Sequence, residues 1–449
     1  MGRLFGTDGI RGKANQPPMD GQTAFQVGQA VTRLLKVEER PLHVIVGRDT
    51  RISGTMLESA VAAGIASMGG DARLAGVLTT PGVAFLTLDT GGEAGMVISA
   101  SHNPYEDNGI KVFDGKGFKL PDPMEARIEA LIRKGELSGS AVPAREMGQV
   151  SHIPDAPSRY GQFLRECFPK EMIMRGIRLI LDPANGAAYN VAGDLFARLG
   201  ADVEMIHAQP DGFNINDRCG SQFPQDLQVR VRERGAAMGF AFDGDGDRLI
   251  AVDETGRLIT GDQILLICAK SLKDRGLLKN NRIVSSVMSN VGLTRACERL
   301  GIERHASRVG DRHVLSDMQR LGAVAGGEES GHIILLDSHT TSDGMITAMQ
   351  LIAAVIREGK PLSQLADRMR VYPQELINVA VSEKRDISGV PALMQAIQDV
   401  EARLGARGRV LIRYSGTQNL CRVMVEGPDA EETARYARQL AGVVTSSIG

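Results

Sequence analysis

The chain has 449 residues, 43 % of them apolar, with 52 Lys and Arg against 54 Asp and Glu for a formal net charge of −2. That balance argues against a nucleic-acid or membrane-surface partner, and no apolar run is long enough to span a bilayer. The length fits three or four domains at about 150 residues each.

The opening Met1-Gly-Arg-Leu-Phe-Gly-Thr-Asp lacks the apolar core of a secretory signal. Cys167, Cys219, Cys268, Cys297 and Cys421 are scattered without a CxxC pair, which suits a reduced cytoplasm and small buried thiols, not a zinc site. Phe5-Gly-Thr-Asp-Gly-Ile-Arg-Gly sets Thr7 and Arg11 near a flexible glycine loop. His43-Val-Ile-Val reads as a strand, followed by a polar loop and a helix from about Thr55 to Met68 that ends at Gly69-Gly70. Met96-Val-Ile then leads into Ser99-Ala-Ser-His-Asn-Pro. Ser101 at such a strand end can accept and pass on a phosphoryl group if a metal neutralises the developing charge. Lys111, in Asn108-Gly-Ile-Lys, could move a proton or steady a phosphate. The plain alternative is a turn set by Asn103 and Pro104. His102 need not be the base for Ser101, since neighbouring side chains often point apart.

Arg178-Leu-Ile-Leu repeats the plan with the loop Asp182-Pro-Ala-Asn-Gly and a helix to Leu199. Its second strand, Met238-Gly-Phe-Ala-Phe, feeds Asp243-Gly-Asp-Gly-Asp and Arg248. Asp243, Asp245 and Asp247 would repel one another without a cation, and oxygen ligands suit Mg²⁺ or Ca²⁺ better than zinc. A solvated acidic turn fits poorly after so apolar a strand. A calcium EF-hand matches at Ile250 and Glu254 but puts Arg248 where glycine is needed, and its flanks read as strands. A catalytic Mg²⁺ loop with Arg248 holding an anion is the favoured reading.

The third copy runs through Arg282-Ile-Val-Ser-Ser-Val, Met288-Ser-Asn-Val-Gly and a helix to Leu300, then to Val324-Ala-Gly-Gly-Glu-Glu-Ser-Gly-His. Glu328 and Ser330 suit sugar hydroxyls and His332 suits acid–base work. The alternative is a tight turn with an exposed histidine. Arg308-Val-Gly-Asp-Arg offers a weaker further contact. At the end, Gly408-Arg-Val-Leu-Ile-Arg and Leu420-Cys-Arg-Val-Met-Val-Glu read as strands around Tyr414-Ser-Gly-Thr-Gln-Asn, and Asp429 with Glu432 forms a capping box for the last helix. Arg413 and Arg422 with that turn look like a phosphate nest; an ordinary hairpin with surface arginines is the alternative. No GxxxxGK[ST] loop is present, which argues against a nucleotide triphosphatase.

Strand, helix and strand at this spacing build right-handed units of a mostly parallel sheet. The expected fold is three related α/β domains with mixed, mostly parallel sheets plus a smaller C-terminal α+β domain, around a central cleft. The expected extents are 1–152 with the serine loop, 156–253 with the metal loop, 254–368 with the sugar loop and 372–449 with the phosphate loop. Ligand loops of such domains sit at the carboxyl ends of strands.

The ordered motifs Ser-Ala-Ser-His-Asn-Pro, Asp-Gly-Asp-Gly-Asp-Arg, Gly-Glu-Glu-Ser-Gly-His and Arg-Tyr-Ser-Gly-Thr resemble those of the α-D-phosphohexomutases across the whole chain. Pro104-Tyr-Glu-Asp-Asn-Gly-Ile-Lys, Asn214-Ile-Asn-Asp-Arg-Cys-Gly-Ser and Val309-Gly-Asp-Arg are similar to the bacterial phosphoglucosamine mutase branch. The resemblance implies a phosphoserine at Ser101 that, with Asp243, Asp245 and Asp247, holds one Mg²⁺. It implies sugar contacts from Glu328 and Ser330, and a phosphate grip from Arg413, Ser415, Gly416, Thr417 and Arg422. Lys111, Arg11 and His332 become unranked candidates for proton transfer and charge stabilisation. The implied reaction converts glucosamine 6-phosphate to glucosamine 1-phosphate through a 1,6-bisphosphate, which also serves as activator, and feeds UDP-N-acetylglucosamine synthesis in the cytoplasm. A hexosamine phosphate is the implied partner, with a homodimer left open.

Three departures stand out. Thr79-Thr80-Pro81 replaces Pro-Thr-Pro, a change expected to touch only a turn. Gln418-Asn419 replaces Glu-Pro and alters the edge of the phosphate loop. Glu329 replaces Gln or Asn and also suits mutases for neutral hexoses. The rival readings are therefore a phosphomannomutase or phosphoglucomutase of the same superfamily, an aspartyl-phosphate phosphatase with Asp243 as nucleophile and Asp245 as acid, and an inactive sugar-phosphate sensor.

Overall fold

The computed structural model describes residues 4–6, 8–36, 42–137, 139, 141–415 and 419–449. Its first sheet contains β1 (Ile10–Lys13), β2 (Leu42–Arg48), β3 (Gly70–Val77), β4 (Ala94–Ile98), β5 (Asp107–Asp114) and β6 (Val150–His152), in the order β1-β5-β4-β2-β3-β6. The second contains β7 (Arg178–Asp182), β8 (Asp202–Met205), β9 (Met238–Phe242), β10 (Leu249–Asp253) and β11 (Leu258–Ile259), in the order β11-β10-β9-β7-β8. The third contains β12 (Arg282–Ser286), β13 (Glu303–Ser307), β14 (Ala325–Gly327) and β15 (Ile333–Leu335), in the order β13-β12-β14-β15.

The three sheets share one feature that places the chemistry. β4, β9 and β14 each pair in parallel with β2, β7 and β12 on one side. On the other side they pair antiparallel with β5, β10 and β15. The loops carrying Ser101, the three aspartates and Glu328 are therefore the turns of topologically equivalent hairpins, at the carboxyl ends of buried strands. β4, β9 and β10 are buried throughout, which explains why they read as continuous apolar runs and not as alternating ones.

Helices cover these sheets as their apolar spacing requires. Leu57, Val61 and Ile65 recur at i, i+4 on the helix Gly54–Ser67 and enter the first core with Val44 and Val46 of β2. The helix Gly261–Asp274 starts at a capping box in which Thr260 and Gln263 satisfy each other's backbone N–H.

The chain divides into two compact units, Met1–Val287 with Glu303–Ala366, and Met288–Ile302 with Asp367–Gly449. In the second, β16 (Gln374–Ala380), β17 (Arg409–Tyr414) and β18 (Leu420–Glu426) form an antiparallel sheet with β18 central. Val423 and Val425 of β18 pack against Leu440 and Val444 of the last helix, Ala430–Ile448. Asp429 accepts from the Glu432 N–H at 2.9 Å, the expected cap. β16 has no counterpart in the sequence reading. The helix Val291–Leu300 belongs to this unit: the Val291 N–H donates to the Glu426 carboxylate at 3.0 Å, and Asn290 exchanges two hydrogen bonds with the Tyr372 backbone. Among the described residues no helix is long and apolar enough to cross a membrane.

Candidate active site

Ser101 follows β4 in the left-handed region, at φ +54°, and is 1 % exposed. A non-glycine residue there costs free energy unless its surroundings hold it. Arg51 and Asn216 do so. Fully buried and paired with Asp49 at 2.8 Å, Arg51 donates to the carbonyls of Ser101 at 3.0 Å, Asn103 at 2.8 Å and Asp107 at 3.0 Å, and also to Pro104. Asn216, brought from the second sheet's domain, donates to the Ser101 and Asn103 carbonyls at 2.9 and 3.0 Å. The serine loop thus aims its side chain at Asp243 while its carbonyls are satisfied from behind.

The Ser101 hydroxyl donates to Asp243 Oδ2 at 2.6 Å. Asp243, Asp245 and Asp247 are all buried, and ligand oxygens from the three lie within 4.8 Å of one another. Gly244 allows this approach, since a Cβ there would stand 2.6 Å from the Ser101 carbonyl oxygen. Burial, then Asp247 and Asp245, pushes the Asp243 carboxyl well above the usual range. Asp245 Oδ1 and Asp247 Oδ1 are buried without a hydrogen-bond partner. Crowded carboxylate oxygens that no donor reaches are consistent with a metal site, and an all-oxygen set fits a hard cation.

Cations surround the triad. Lys111 Nζ lies 2.8 Å from Asp245, 3.4 Å from Asp247 and 3.2 Å from Asp8. Burial works against its charge, but Asp245, Asp8 and Asp247 outweigh it and hold the amine well above its ordinary value. His332 sits with Nδ1 3.7 Å from Asp247 and Nε2 3.4 Å from Asp311. Burial again opposes the charge, but the two carboxylates raise the imidazole to about 10. Arg248 Nε is 3.8 Å from Asp243 and 4.0 Å from Asp247. Arg11 pairs with Asp8 and donates to the Ala100 carbonyl at 3.2 Å.

The hairpin of the third sheet reaches the same region. Gly331 (φ +89°) packs so tightly that a Cβ would lie 2.1 Å from the Leu249 carbonyl oxygen of β10. Glu328 is half-buried and accepts from the Gly310 N–H at 3.0 Å, whereas Ser330 is exposed. In the second unit, Arg413 and Arg422 face each other across β17 and β18, both with a buried Nε lacking a hydrogen-bond partner. Ser415 is buried beside them in sequence, and its carbonyl accepts from Lys384 at 2.7 Å. Gly416, Thr417, Gln418 and Thr7 lie outside the described residues.

Four consecutive family models cover nearly the whole chain: domains I, II, III and the C-terminal domain of phosphoglucomutase/phosphomannomutase match residues 2–138, 158–256, 260–372 and 376–443. A phosphoglucosamine mutase from Syntrophobacter fumaroxidans is 60 % identical over 449 residues, covering 100 % of both chains. The chain belongs to the phosphoglucomutase/phosphomannomutase family. Solved family structures share the fold. A Burkholderia thailandensis phosphoglucomutase/phosphomannomutase family protein superposes with TM-score 0.81 at 23 % identity over 99 % of this chain and 97 % of its own. An Aspergillus fumigatus N-acetylphosphoglucosamine mutase, in complex with GlcNAc-6P and magnesium, does so with TM-score 0.69 at 18 % identity over 99 % and 96 %.

The geometry refines three readings of this family member. His102 does not point away from Ser101: its Nδ1 lies 3.3 Å from the hydroxyl, and burial, with Arg248 and Arg11, lowers the imidazole to about 4. The Thr79-Thr80-Pro81 segment is more than a turn. Thr79 caps the helix Thr80–Asp89, and Thr80 hydrogen-bonds Asp245 through both its hydroxyl, at 2.5 Å, and its N–H, at 2.9 Å. Cys219 lies with Asp182 and His207 in a second cluster of potential ligand atoms. There Asp182 is already engaged by the Ala184 and Gly220 N–H groups and by His207, and burial pushes the Cys219 thiol up to about 12, so the cluster anchors loops. Arg51, Asn216, Asp8, Lys119 and Asp311 escaped the sequence reading as site residues, although Asp311 falls in the Arg308–Arg312 segment singled out there.

Proposed function

We propose that this phosphohexomutase interconverts glucosamine 6-phosphate and glucosamine 1-phosphate through a phosphoserine at Ser101 and a bound 1,6-bisphosphate. The observation that carries the reaction type is the Ser101 hydroxyl, 2.6 Å from Asp243 at the edge of three crowded carboxylates. The full-length relative at 60 % identity supports the amino sugar as substrate.

Asp243, Asp245 and Asp247, with the serine phosphate, would hold Mg²⁺, which when bound offsets the charge that builds on the transferring phosphoryl group. The sugar hydroxyl attacks phosphorus, the bond from phosphorus to Ser101 Oγ breaks, and the hydroxyl proton leaves to a nearby base. The bisphosphate turns end for end and its other phosphoryl group returns to Ser101. Lys111 and His332, held protonated by their carboxylates, suit charge stabilisation and proton donation to the departing oxygen. Arg11 and Arg248 add positive charge beside them. Glu328 and Ser330 read sugar hydroxyls. Arg413, Ser415, Gly416, Thr417 and Arg422 grip the phosphate that is not being transferred, where paired guanidinium groups need an anion. The product suits a cytoplasmic supply of UDP-N-acetylglucosamine.

Ser101→Ala should abolish turnover of glucosamine 6-phosphate, and near wild-type activity in that variant would sink the mechanism. Comparing kcat/KM across glucosamine, glucose and mannose phosphates tests the substrate. The aspartyl-phosphate alternative predicts label that hydroxylamine releases; a phosphoserine resists it.

A further inference from the structure

Six buried or half-buried charges around the site close into a ring of alternating sign. Asp8 pairs with Lys111 at 3.2 Å, and Lys111 with Asp247 at 3.4 Å. Asp247 faces His332 at 3.7 Å, and His332 faces Asp311 at 3.4 Å. Lys119 closes the circuit by pairing with both Asp311 and Asp8. Counting only ring members, each cation touches two anions and each anion two cations; Lys111 also pairs with Asp245, Asp8 with Arg11 and Asp247 with Arg248. The members come from three hairpin-bearing segments: Asp8, Lys111 and Lys119 from the first, Asp247 from the second, Asp311 and His332 from the third.

Lys119 and Asp311 pair with Asp8, with each other and with His332 and not with the triad, yet they fix groups that do. Lys119 extends from the segment following β5 and its side chain is 8 % exposed, so its stem is packed and its ammonium has no freedom to wander. Asp311 is the first residue of the helix Asp311–Leu321 and faces the Nε2 edge of His332, while Ser342 Oγ lies 2.7 Å from the same nitrogen. Arg312, next along, pairs with Asp122 and the buried Glu125 on the helix Asp122–Arg133, so the start of this helix is tied to the first domain at two adjacent positions. Both ties lie beside a cleft of about 470 Å³ lined in part by Lys119, Asp311, Arg312 and His332.

We infer that Lys119 and Asp311 are positioning residues, which hold the His332 imidazole and the Asp8–Lys111 pair in register with Ser101. This inference rests on the mutase reading above. Removing either residue leaves the metal loop, the serine and the sugar-binding residues in place but frees two catalytic cations to shift. Displacements of about 1 Å in such a constellation cost on the order of 100-fold in rate.

The test is steady-state kinetics with glucosamine 6-phosphate for wild type, Lys119→Met, Lys119→Arg, Asp311→Asn and the Lys119→Met/Asp311→Asn pair, with thermal melts on each. A wild type without turnover refutes the mutase reading and, with it, this inference. With an active wild type, the expected result is kcat lowered at least about tenfold in Lys119→Met and in Asp311→Asn, KM within about twofold, and partial rescue by Lys119→Arg. The double variant should be little worse than either single one, because both act through one chain. Unchanged kcat in Lys119→Met, or fully multiplicative losses in the double variant, overturns the inference while leaving the mutase reading standing. Loss of activity that tracks loss of folded protein in the melts also overturns it, since a merely structural role predicts that result.

Discussion

Arg51 shows how a residue outside the chemistry can govern it. Its guanidinium supplies donors in a fixed fork, and four loop carbonyls plus Asp49 take them up. A lysine has three donors on a point charge and cannot reproduce that geometry. Arg51→Lys keeps a charge beside Asp49 but leaves buried carbonyls without donors, so it should destabilise the protein by about 1–3 kcal/mol and should lower kcat because Ser101 is no longer held at its positive φ. Urea unfolding and turnover measure the two effects; an unchanged midpoint would refute the clamp. The Asp243 triad was legible in the sequence because its carboxylates alternate within five residues of one loop. Arg51 was not, because its partners are backbone carbonyls some 50 residues away, and carbonyls carry no sequence code. Thr80 escaped for a related reason: its contact with Asp245 spans 165 residues.

At the scale of elements, the repeated strand–loop–helix plan was readable because buried parallel strands leave continuous apolar runs and helices end on glycine. It disclosed the hairpin partner of β9, Leu249-Ile-Ala-Val, but not those of β4 and β14: β15 spans only Ile333–Leu335, and three apolar residues have no period to read. β16 was hidden by its irregular exposure, since it alternates poorly between core and solvent. The helix Gly344–Glu358 carries a testable pH signature at its start. Asp343 caps it by accepting from the Met345 and Ile346 N–H groups at 2.9 and 3.1 Å, and its other oxygen accepts from the Tyr160 hydroxyl at 2.6 Å. Burial pushes the carboxyl up to about 6 against those hydrogen bonds, which favour its charged form. A carboxyl with a raised folded pKa contributes stability that is complete below its unfolded value near 4 and is lost as pH rises through about 6. Asp343→Asn keeps the cap and the Tyr160 contact and cannot ionise. Its melting temperature relative to wild type should rise between pH 5 and pH 7.5, corresponding to about 1–3 kcal/mol. A pH-independent offset between the two proteins would refute the assignment.

Across the molecule, the formal charges of the site are matched once Asp243 is ionised, as holding a cation requires. Asp8, Asp243, Asp245, Asp247 and Asp311 stand against Arg11, Lys111, Lys119, Arg248 and His332, five against five. A divalent cation alone would leave that set two charges positive. A phosphoserine carries about −1.5 to −2 at neutral pH, so the ion and the phosphoryl group balance each other. The prediction is that Mg²⁺ stabilises the Ser101-phosphorylated protein more than the dephosphorylated one. For a ligand bound only by the folded state the gain is about 2.7 kcal/mol at one hundred times Kd, so it should be visible as a rise in melting temperature during a Mg²⁺ titration. Asp245→Asn, which removes one charge from the triad, should abolish most of that rise. Chelator should reverse it in the phosphorylated wild type and stop turnover. Equal Mg²⁺ shifts in the two phosphorylation states would show that the triad binds the ion without regard to the serine, and the charge-matching argument would fail.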